Sequence, residues 1–211
     1  MSSTIRVSQR ETAVHSLGPG RRYVLWVQGC TRNCPGCVST ADQSMDGGYP
    51  MSAGALAAEI SLSRPDGVTI SGGEPFLQAE ALGQMLRILR RDFGYDTGVI
   101  VYTGFLLEEL RLMPSAKPLL DETDLLIDGP YVRELDDGKS LRGSSNQRVI
   151  PLTDRYDRPE ILSLYGVEGR QTEYFWHGGG INCVGVDDHK DPLAKSMEAL
   201  SPDKADPTKH I

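Results

Sequence analysis

Three of the four cysteines of this chain lie within eight residues, in the stretch WVQGCTRNCPGCVST (residues 26–40). Cys30, Cys34 and Cys37 form a C-x3-C-x2-C pattern directly after an apolar run. Thiolates bind soft metals, and an odd number of cysteines cannot all pair as disulfides, so the pattern indicates a metal or cluster site. A 4Fe-4S cubane needs four iron ligands, so three cysteines would leave one iron open to a molecule that is not protein.

Zinc is the main alternative for this loop. Structural zinc sites are usually four-coordinate, so the fourth ligand would have to be Cys183, His177 or His189. Such sites commonly use two separated Cys pairs, whereas this chain has one dense triplet, which favours the cluster. Ordinary buried cysteines are a third interpretation, and Cys183 with His177 is more simply read as inert than as a second metal site.

Composition limits the remaining possibilities. The chain has 211 residues, 39% hydrophobic and 24% charged, which is typical of one globular domain with a real core. Its formal net charge of -7 argues against a nucleic-acid partner, since phosphates require basic patches. No apolar run reaches the roughly 18–20 residues that cross a bilayer, and residues 1–14 lack a secretory signal pattern, so we expect a cytoplasmic protein without a membrane partner.

Strand and helix patterns alternate along most of the chain. Strands are predicted at 22–28, 67–71, 98–104, 123–129 and 146–152, and helices at 52–62, 77–94 and 105–113. Such alternation predicts an α/β fold of parallel βα units. Five or six strands are too few for an eight-stranded barrel, so an incomplete barrel is the economical interpretation.

The sequence SGGEP (residues 71–75) follows the strand at 67–71. Ligands bind at the carboxyl ends of parallel strands. Gly72 and Gly73 would let a backbone come close to a ligand, and the carboxylate of Glu74 could hold an ammonium group. Taken alone, the motif is more typical of a plain strand-to-helix turn. Its proximity to the cysteine loop adds weight to the ligand site.

The cysteine loop after a first strand, followed by Gly-Gly-Glu after a second, resembles the radical S-adenosylmethionine superfamily. That resemblance implies an incomplete (β/α)6 barrel and a 4Fe-4S cluster on Cys30, Cys34 and Cys37. It also implies that S-adenosylmethionine chelates the open iron and that Gly72, Gly73 and Glu74 bind its methionine amino end. Reductive cleavage would then give methionine and a 5'-deoxyadenosyl radical that abstracts hydrogen.

A narrower resemblance covers about residues 17–152. The segments LGPGRRYVLWVQGC, CPGC, TISGGEPFLQ, VYTGFLLEEL, TDLLIDGPYV and LRGSSNQRVI are similar to activating enzymes of glycyl radical enzymes, most of all those of anaerobic ribonucleotide reductase. This implies a glycine in a partner glycyl radical enzyme subunit as substrate, and a one-electron donor such as flavodoxin or ferredoxin. A radical enzyme acting on a peptide or small metabolite, and a non-catalytic zinc-binding interaction module, remain as alternatives.

Further polar residues follow the later strands at the presumed cofactor edge. Asp128 could bind a ribose hydroxyl or a cation, or it could cap a helix or a turn. Thr103 and Tyr102 end the preceding strand on the same rim, and packing is the alternative role for both. A polar run leads into the last strand, and we expect it to line the adenosine or the carboxylate of the cofactor in preference to forming a simple exposed loop. It comprises Arg142, Ser144, Ser145, Asn146 and Gln147. Arg21 is expected near the cluster, where its charge could offset that of the ligands.

The chain is expected to divide at residue 152. Residues 1–152 would form the radical S-adenosylmethionine core. Residues 153–211 show no clear period and end in the polar stretch SPDKADPTKHI, which predicts a partly irregular extension packing on the core with a frayed end.

Overall fold

A computed structural model describes residues 3–139, 141–157, 170–177 and 180–186 of the chain. Seven strands form one sheet: β1 (Thr4–Val14), β2 (Arg22–Val27), β3 (Tyr49–Ser52), β4 (Gly67–Gly72), β5 (Gly98–Tyr102), β6 (Leu125–Asp128) and β7 (Arg148–Pro151). Their order is β3-β1-β2-β4-β5-β6-β7. The central strands β2, β4, β5 and β6 are parallel, and the outer pairings are antiparallel. The predicted α/β class is confirmed, and all five predicted strands are present.

Within the described ranges, four helices accompany this sheet: α1 (Ala53–Ser63), α2 (Ala79–Asp92), α3 (Leu107–Leu112) and α4 (Lys117–Leu120). Alternate residues of the parallel strands, such as Leu25 and Ile70, join helix residues such as Leu56 and Leu82 in one buried apolar cluster. Ser52 caps α1 as predicted, because its hydroxyl accepts from the Ala55 N–H at 3.1 Å. The helices therefore cover one face of the sheet and leave the other face for further contacts.

A two-stranded hairpin, β8 (Thr172–His177) and β9 (Gly180–Gly185), packs on that second face. Val184 is buried there with Val14 and Val24, and Phe175 packs beside them. The Glu173 carboxylate accepts the backbone N–H groups of His15 at 2.7 Å and Ser16 at 2.6 Å. No regular element was predicted in this region, because its glycines and aromatics hide the period of two. The proposed division of the chain at residue 152 stays a prediction.

Arg22 fills the sheet interior near the amino ends of the parallel strands. It is fully buried, and its guanidinium donates to the Thr69 hydroxyl, to the Tyr156 hydroxyl and to the Val68 and Gly98 carbonyls. Its neighbour Arg21 is exposed and donates to the Arg64 carbonyl at 2.6 Å. Both arginines precede β2 or begin it, whereas the cysteine loop follows its end, so the expectation that Arg21 lies beside the cluster is wrong.

The strand β1 was missed from the sequence. Its pairing with β2 shifts register between Val7 and Gln9 and again between Glu11 and Val14, and these irregularities break the alternation that identifies a strand. Among the described residues, no helix is long and apolar enough to cross a membrane.

Candidate active site

The cysteine loop leaves the carboxyl end of β2 and closes on itself. The Gly29 N–H donates to the Asp42 carbonyl at 2.7 Å, and the Cys30 N–H donates to the Gln43 carbonyl at 3.0 Å. Within the loop, the Cys37 N–H donates to the Cys34 carbonyl at 3.1 Å. These bonds fix both ends of a turn-rich segment at the edge of the sheet, where ligands of parallel α/β proteins bind.

The three thiols of this loop line one cavity together with the glycine turn that follows β4. All four cysteines lie within the described residues. Cys30, Cys34 and Cys37 are half-buried free thiols, and Cys183 is exposed. Burial raises the pKa of the Cys37 thiol above its ordinary value. A bound metal would reverse that shift, because coordination favours the thiolate.

A single metal ion and a four-iron cluster make different demands on the arrangement of the thiols. Within the described ranges, no three His, Cys, Asp or Glu side chains are grouped closely enough to hold one metal ion. A four-iron cluster makes a different demand, because each thiolate binds its own iron and the sulfurs need not converge on one point. Three free thiols in one cavity wall, next to a glycine turn without side chains, fit such a cluster.

The close packing of the turn after β4 against the cysteine loop requires glycine at positions 72 and 73. Gly72 has a φ of +101°, and a Cβ at Gly73 would lie 2.3 Å from the Gly29 carbonyl oxygen. The Gly73 N–H donates to the Val27 carbonyl at 2.7 Å. The turn after β4 therefore lies directly against the base of the cysteine loop, and both glycines also face the cavity.

The Glu74 carboxylate lies almost wholly inside the protein, with 1% of the residue exposed. It accepts from the Phe76 N–H at 3.0 Å, from the Thr103 hydroxyl at 2.9 Å and from the Gly104 N–H at 2.8 Å. Burial raises the pKa of Glu74, while these three hydrogen bonds and the nearby Arg32 act against that shift. The carboxylate thus ties the end of β4 to the end of β5 at the rim of the cavity.

Arg32 connects the cysteine loop with the start of α3. Its guanidinium lies 4.1 Å from the centre of the Phe105 ring, and it forms an ion pair with Glu109 at 2.9 Å. Its backbone N–H donates to the Cys30 Sγ at 3.4 Å. Arg32 thus ties the cysteine loop to the segment that begins α3.

Comparison with known proteins places these features in a family. A family model described as "4Fe-4S single cluster domain" matches residues 16–150. The anaerobic ribonucleoside-triphosphate reductase-activating protein of Salmonella typhimurium is 32% identical over 140 residues, which is 63% of this chain and 89% of that protein. Those of Escherichia coli and Enterobacteria phage T4 are 33% and 30% identical, over 89% and 88% of their lengths and 63% and 65% of this chain. The chain belongs to this family of activating proteins.

Membership of the activating proteins confirms the resemblance inferred from the sequence. It confirms an activating enzyme of the radical S-adenosylmethionine type, with a 4Fe-4S cluster and S-adenosylmethionine as cofactors. Among solved structures, QueE from Escherichia coli gives a TM-score of 0.39 at 16% identity, over 48% of this chain and 53% of that chain. That overlap is too partial to support any argument about this chain.

For this activating protein, the structure brings most of the predicted site residues together. Seven of them line the same cavity: Cys30, Cys34, Cys37, Gly72, Gly73, Glu74 and Thr103. Tyr102 and Gln147 line it as well. These residues come from four separate segments of the chain, and the parallel register of β2, β4 and β5 brings three of those segments to one edge.

Asp128 lies next to the cavity wall, but its carboxylate binds other residues of the protein. Its buried carboxylate accepts from the Leu107 N–H at 2.7 Å and from Nε of Arg148 at 2.9 Å. The structure thus shows the contacts of a helix cap and an ion pair, which is the alternative that the sequence left open.

The polar run before β7 is mostly turned toward its own loop. The Arg142 side chain forms an ion pair with Asp137, the Ser144 hydroxyl accepts from the Val132 N–H at 3.1 Å, and Asn146 donates to the Pro130 carbonyl at 2.8 Å. The structure does not place these three residues among those that line the cavity.

Several lining residues were not found from the sequence. Trp26, Arg32, Tyr131, Gly185 and Val186 all contribute to the wall. Arg32 could have been noticed, because it lies between two of the cysteines. Gly185 and Val186 gave no sequence signal, since only the packing of strands β8 and β9 onto the sheet brings them to the cavity.

Proposed function

We propose that Cys30, Cys34 and Cys37 hold the cluster and that this chain generates a glycyl radical on a partner glycyl radical enzyme of the anaerobic ribonucleotide reductase type. The observation that carries the proposal is the meeting of the three thiols with Gly72, Gly73 and Glu74 in one cavity. We also interpret the fold as the incomplete (β/α)6 barrel of the superfamily, a view that four parallel strands with helices on one face support.

When bound, the cluster would supply one electron for reductive cleavage of S-adenosylmethionine, and a flavodoxin or ferredoxin is proposed as the donor. The chain's own residues have three tasks in this scheme. The cysteine loop holds the cluster at the sheet edge. The glycine turn leaves a wall without side chains, along which a methionine moiety can lie against backbone groups. Glu74 keeps that turn in place through Thr103 and Gly104.

The cavity wall also limits access of water. Trp26, Tyr102 and Val186 surround it with aromatic and aliphatic surface. Sites of this kind bury most of a ligand and exclude solvent from the reacting atoms. A carbon radical requires the exclusion of water and oxygen, and these three side chains would supply it when the cofactor is bound.

The proposal is tested by anaerobic reconstitution with iron and sulfide, followed by reduction and addition of S-adenosylmethionine. We expect methionine and 5'-deoxyadenosine in equal amounts, and a glycyl radical signal by electron paramagnetic resonance when the cognate reductase is present. Absence of 5'-deoxyadenosine from cluster-loaded protein would contradict the proposed chemistry. Formation of 5'-deoxyadenosine without a glycyl radical on any reductase would instead favour a peptide or small-metabolite substrate.

A further inference from the structure

Arg133 lies directly on the cysteine loop. A Cβ built at Gly36 would be 2.3 Å from Nε, 2.4 Å from Nη2 and 2.6 Å from Cζ of Arg133, so the guanidinium occupies the space that a side chain at position 36 would need. Gly36 has a φ of +74° and stands between Cys34 and Cys37. The guanidinium is therefore placed over the short link between two of the three proposed cluster ligands.

Arg133 forms no ion pair with a carboxylate of the described residues. Within the described part of the chain, its side chain has no ion pair and no hydrogen bond, and the residue is exposed. Nearby Asp136 pairs with Arg170 at 2.8 Å. By contrast, the second arginine of the site, Arg32, is paired with Glu109. Arg133 is thus a cation on the loop without an ion-pair partner in the part of the chain that the structure describes.

A cation at this position would increase the electron affinity of the iron–sulfur cluster. Three thiolates already give the site negative charge, and the one-electron reduction adds one more negative charge without making or breaking a bond. A nearby positive charge stabilises the reduced form more than the oxidised form. At an effective dielectric constant of about 20 and a separation of about 10 Å, one unit charge changes this equilibrium on the order of tenfold.

We propose that Arg133 raises the reduction potential of the iron–sulfur cluster and so makes its reduction by a low-potential one-electron donor easier. This inference rests on the proposed assignment of Cys30, Cys34 and Cys37 as cluster ligands. It also gives Gly36 a definite role, because any larger residue at position 36 would displace the guanidinium from the loop.

The test is a potentiometric titration of the reconstituted protein, followed by the signal of the reduced cluster in electron paramagnetic resonance. Arg133→Gln should lower the ratio of reduced to oxidised cluster about tenfold at a fixed potential, which equals a shift of about 59 mV to more negative values for a one-electron couple. Arg133→Lys keeps the charge and should restore most of the ratio.

Arg91→Gln is the matched control, because it removes one exposed positive charge at the far end of α2. Helix α2 begins near the glycine turn and is about 20 Å long, so this charge is remote from the loop. Its potential should equal that of the unchanged protein.

Equal potentials for Arg133→Gln and the unchanged protein would overturn the inference. Loss of iron from Arg133→Gln that Arg133→Lys does not prevent would also overturn it, because Arg133 would then act by packing alone. Failure of the unchanged protein to bind iron and sulfide would instead contradict the proposed function, so the two failures are distinguishable.

Discussion

At the scale of single residues, Glu74 stabilises the site as an acceptor of hydrogen bonds. Burial raises the pKa of Glu74, so its negative charge by itself does not favour the folded state. What the fold gains is an acceptor for Phe76, Thr103 and Gly104. Since a carboxylate offers about four acceptor positions, three are already used by the protein, and at most one remains for an ammonium group of a ligand.

Glu74→Gln should therefore lower the stability of the protein. The amide NH2 cannot accept, so at least one buried donor loses its partner, at a cost of roughly 1–3 kcal/mol. For a chain of this size this is a decrease in Tm of about 2–12 °C, measured by calorimetry. Glu80→Gln, on the exposed side of α2, should leave the Tm unchanged. An unaltered Tm with weakened binding of S-adenosylmethionine would show that the carboxylate acts mainly on the ligand.

Each of the three loop cysteines is expected to be essential for cluster binding. Replacement of Cys30, Cys34 or Cys37 by Ala should abolish stable cluster binding, because each thiolate is the sole protein ligand of one iron. Iron and sulfide analysis after anaerobic reconstitution measures the effect. Cys183→Ala is the control, since Cys183 is exposed in the hairpin and is not among the residues of the cavity wall. A full iron content in Cys34→Ala would refute the ligand assignment.

At the scale of elements, α3 depends on a carboxylate from the neighbouring strand. Asp128 at the end of β6 accepts the Leu107 N–H at the first turn of α3 and pairs with Arg148 of β7. Asp128→Asn should cost about 2 kcal/mol, because the cap is weakened and Arg148 loses its buried partner. Denaturant unfolding measures this loss. Asp92→Asn, at an exposed position, should change the free energy of unfolding by less than about 0.5 kcal/mol.

The elements show how far sequence patterns determine this fold. Ser52, the helical spacing in α2 and the apolar run of β4 were sufficient to locate their elements, because each signal is local. The helix predicted at 105–113 is shorter, Leu107–Leu112, since Pro114 begins a separate turn. The polar run at 142–147 was misleading in part. Its side chains satisfy the backbone of their own loop, a need that no spacing in the sequence reveals.

The candidate site also shows that sequence patterns reveal local motifs but not contacts between distant segments. The cysteine triplet and the Gly-Gly-Glu motif could be recognised in the sequence, because the residues of each motif lie next to one another in the chain. Arg133 lies almost a hundred residues after Gly36, and only the strand order brings the two together. Contacts of this kind depend on the register of the whole sheet, so they could not be predicted from either segment alone.

At the scale of the whole molecule, the hairpin β8–β9 distinguishes this chain from the region that the family model matches. That match ends at residue 150, whereas Gly185 and Val186 of the described C-terminal region line the cavity. The hairpin is held by Val184 in an apolar cluster, by the two backbone bonds to Glu173 and by the contact of His177 with Glu11 at 2.6 Å. We therefore expect it to form part of the cofactor site.

Val184→Asp should separate the hairpin from the sheet while the main core stays folded. A buried carboxylate without a partner is strongly unfavourable, and Val184 contacts the small cluster of Val14 and Val24, not the larger cluster beneath the helices. Hydrogen exchange should increase in β8 and β9 and remain slow in β4 and β5. Binding of S-adenosylmethionine to the cluster-loaded protein should weaken, because the wall at Val186 opens. The control is Ile181→Asp on the exposed side of the same hairpin, which should leave both readouts unchanged. If exchange increases but affinity does not fall, the hairpin covers the sheet without contributing to the cofactor site.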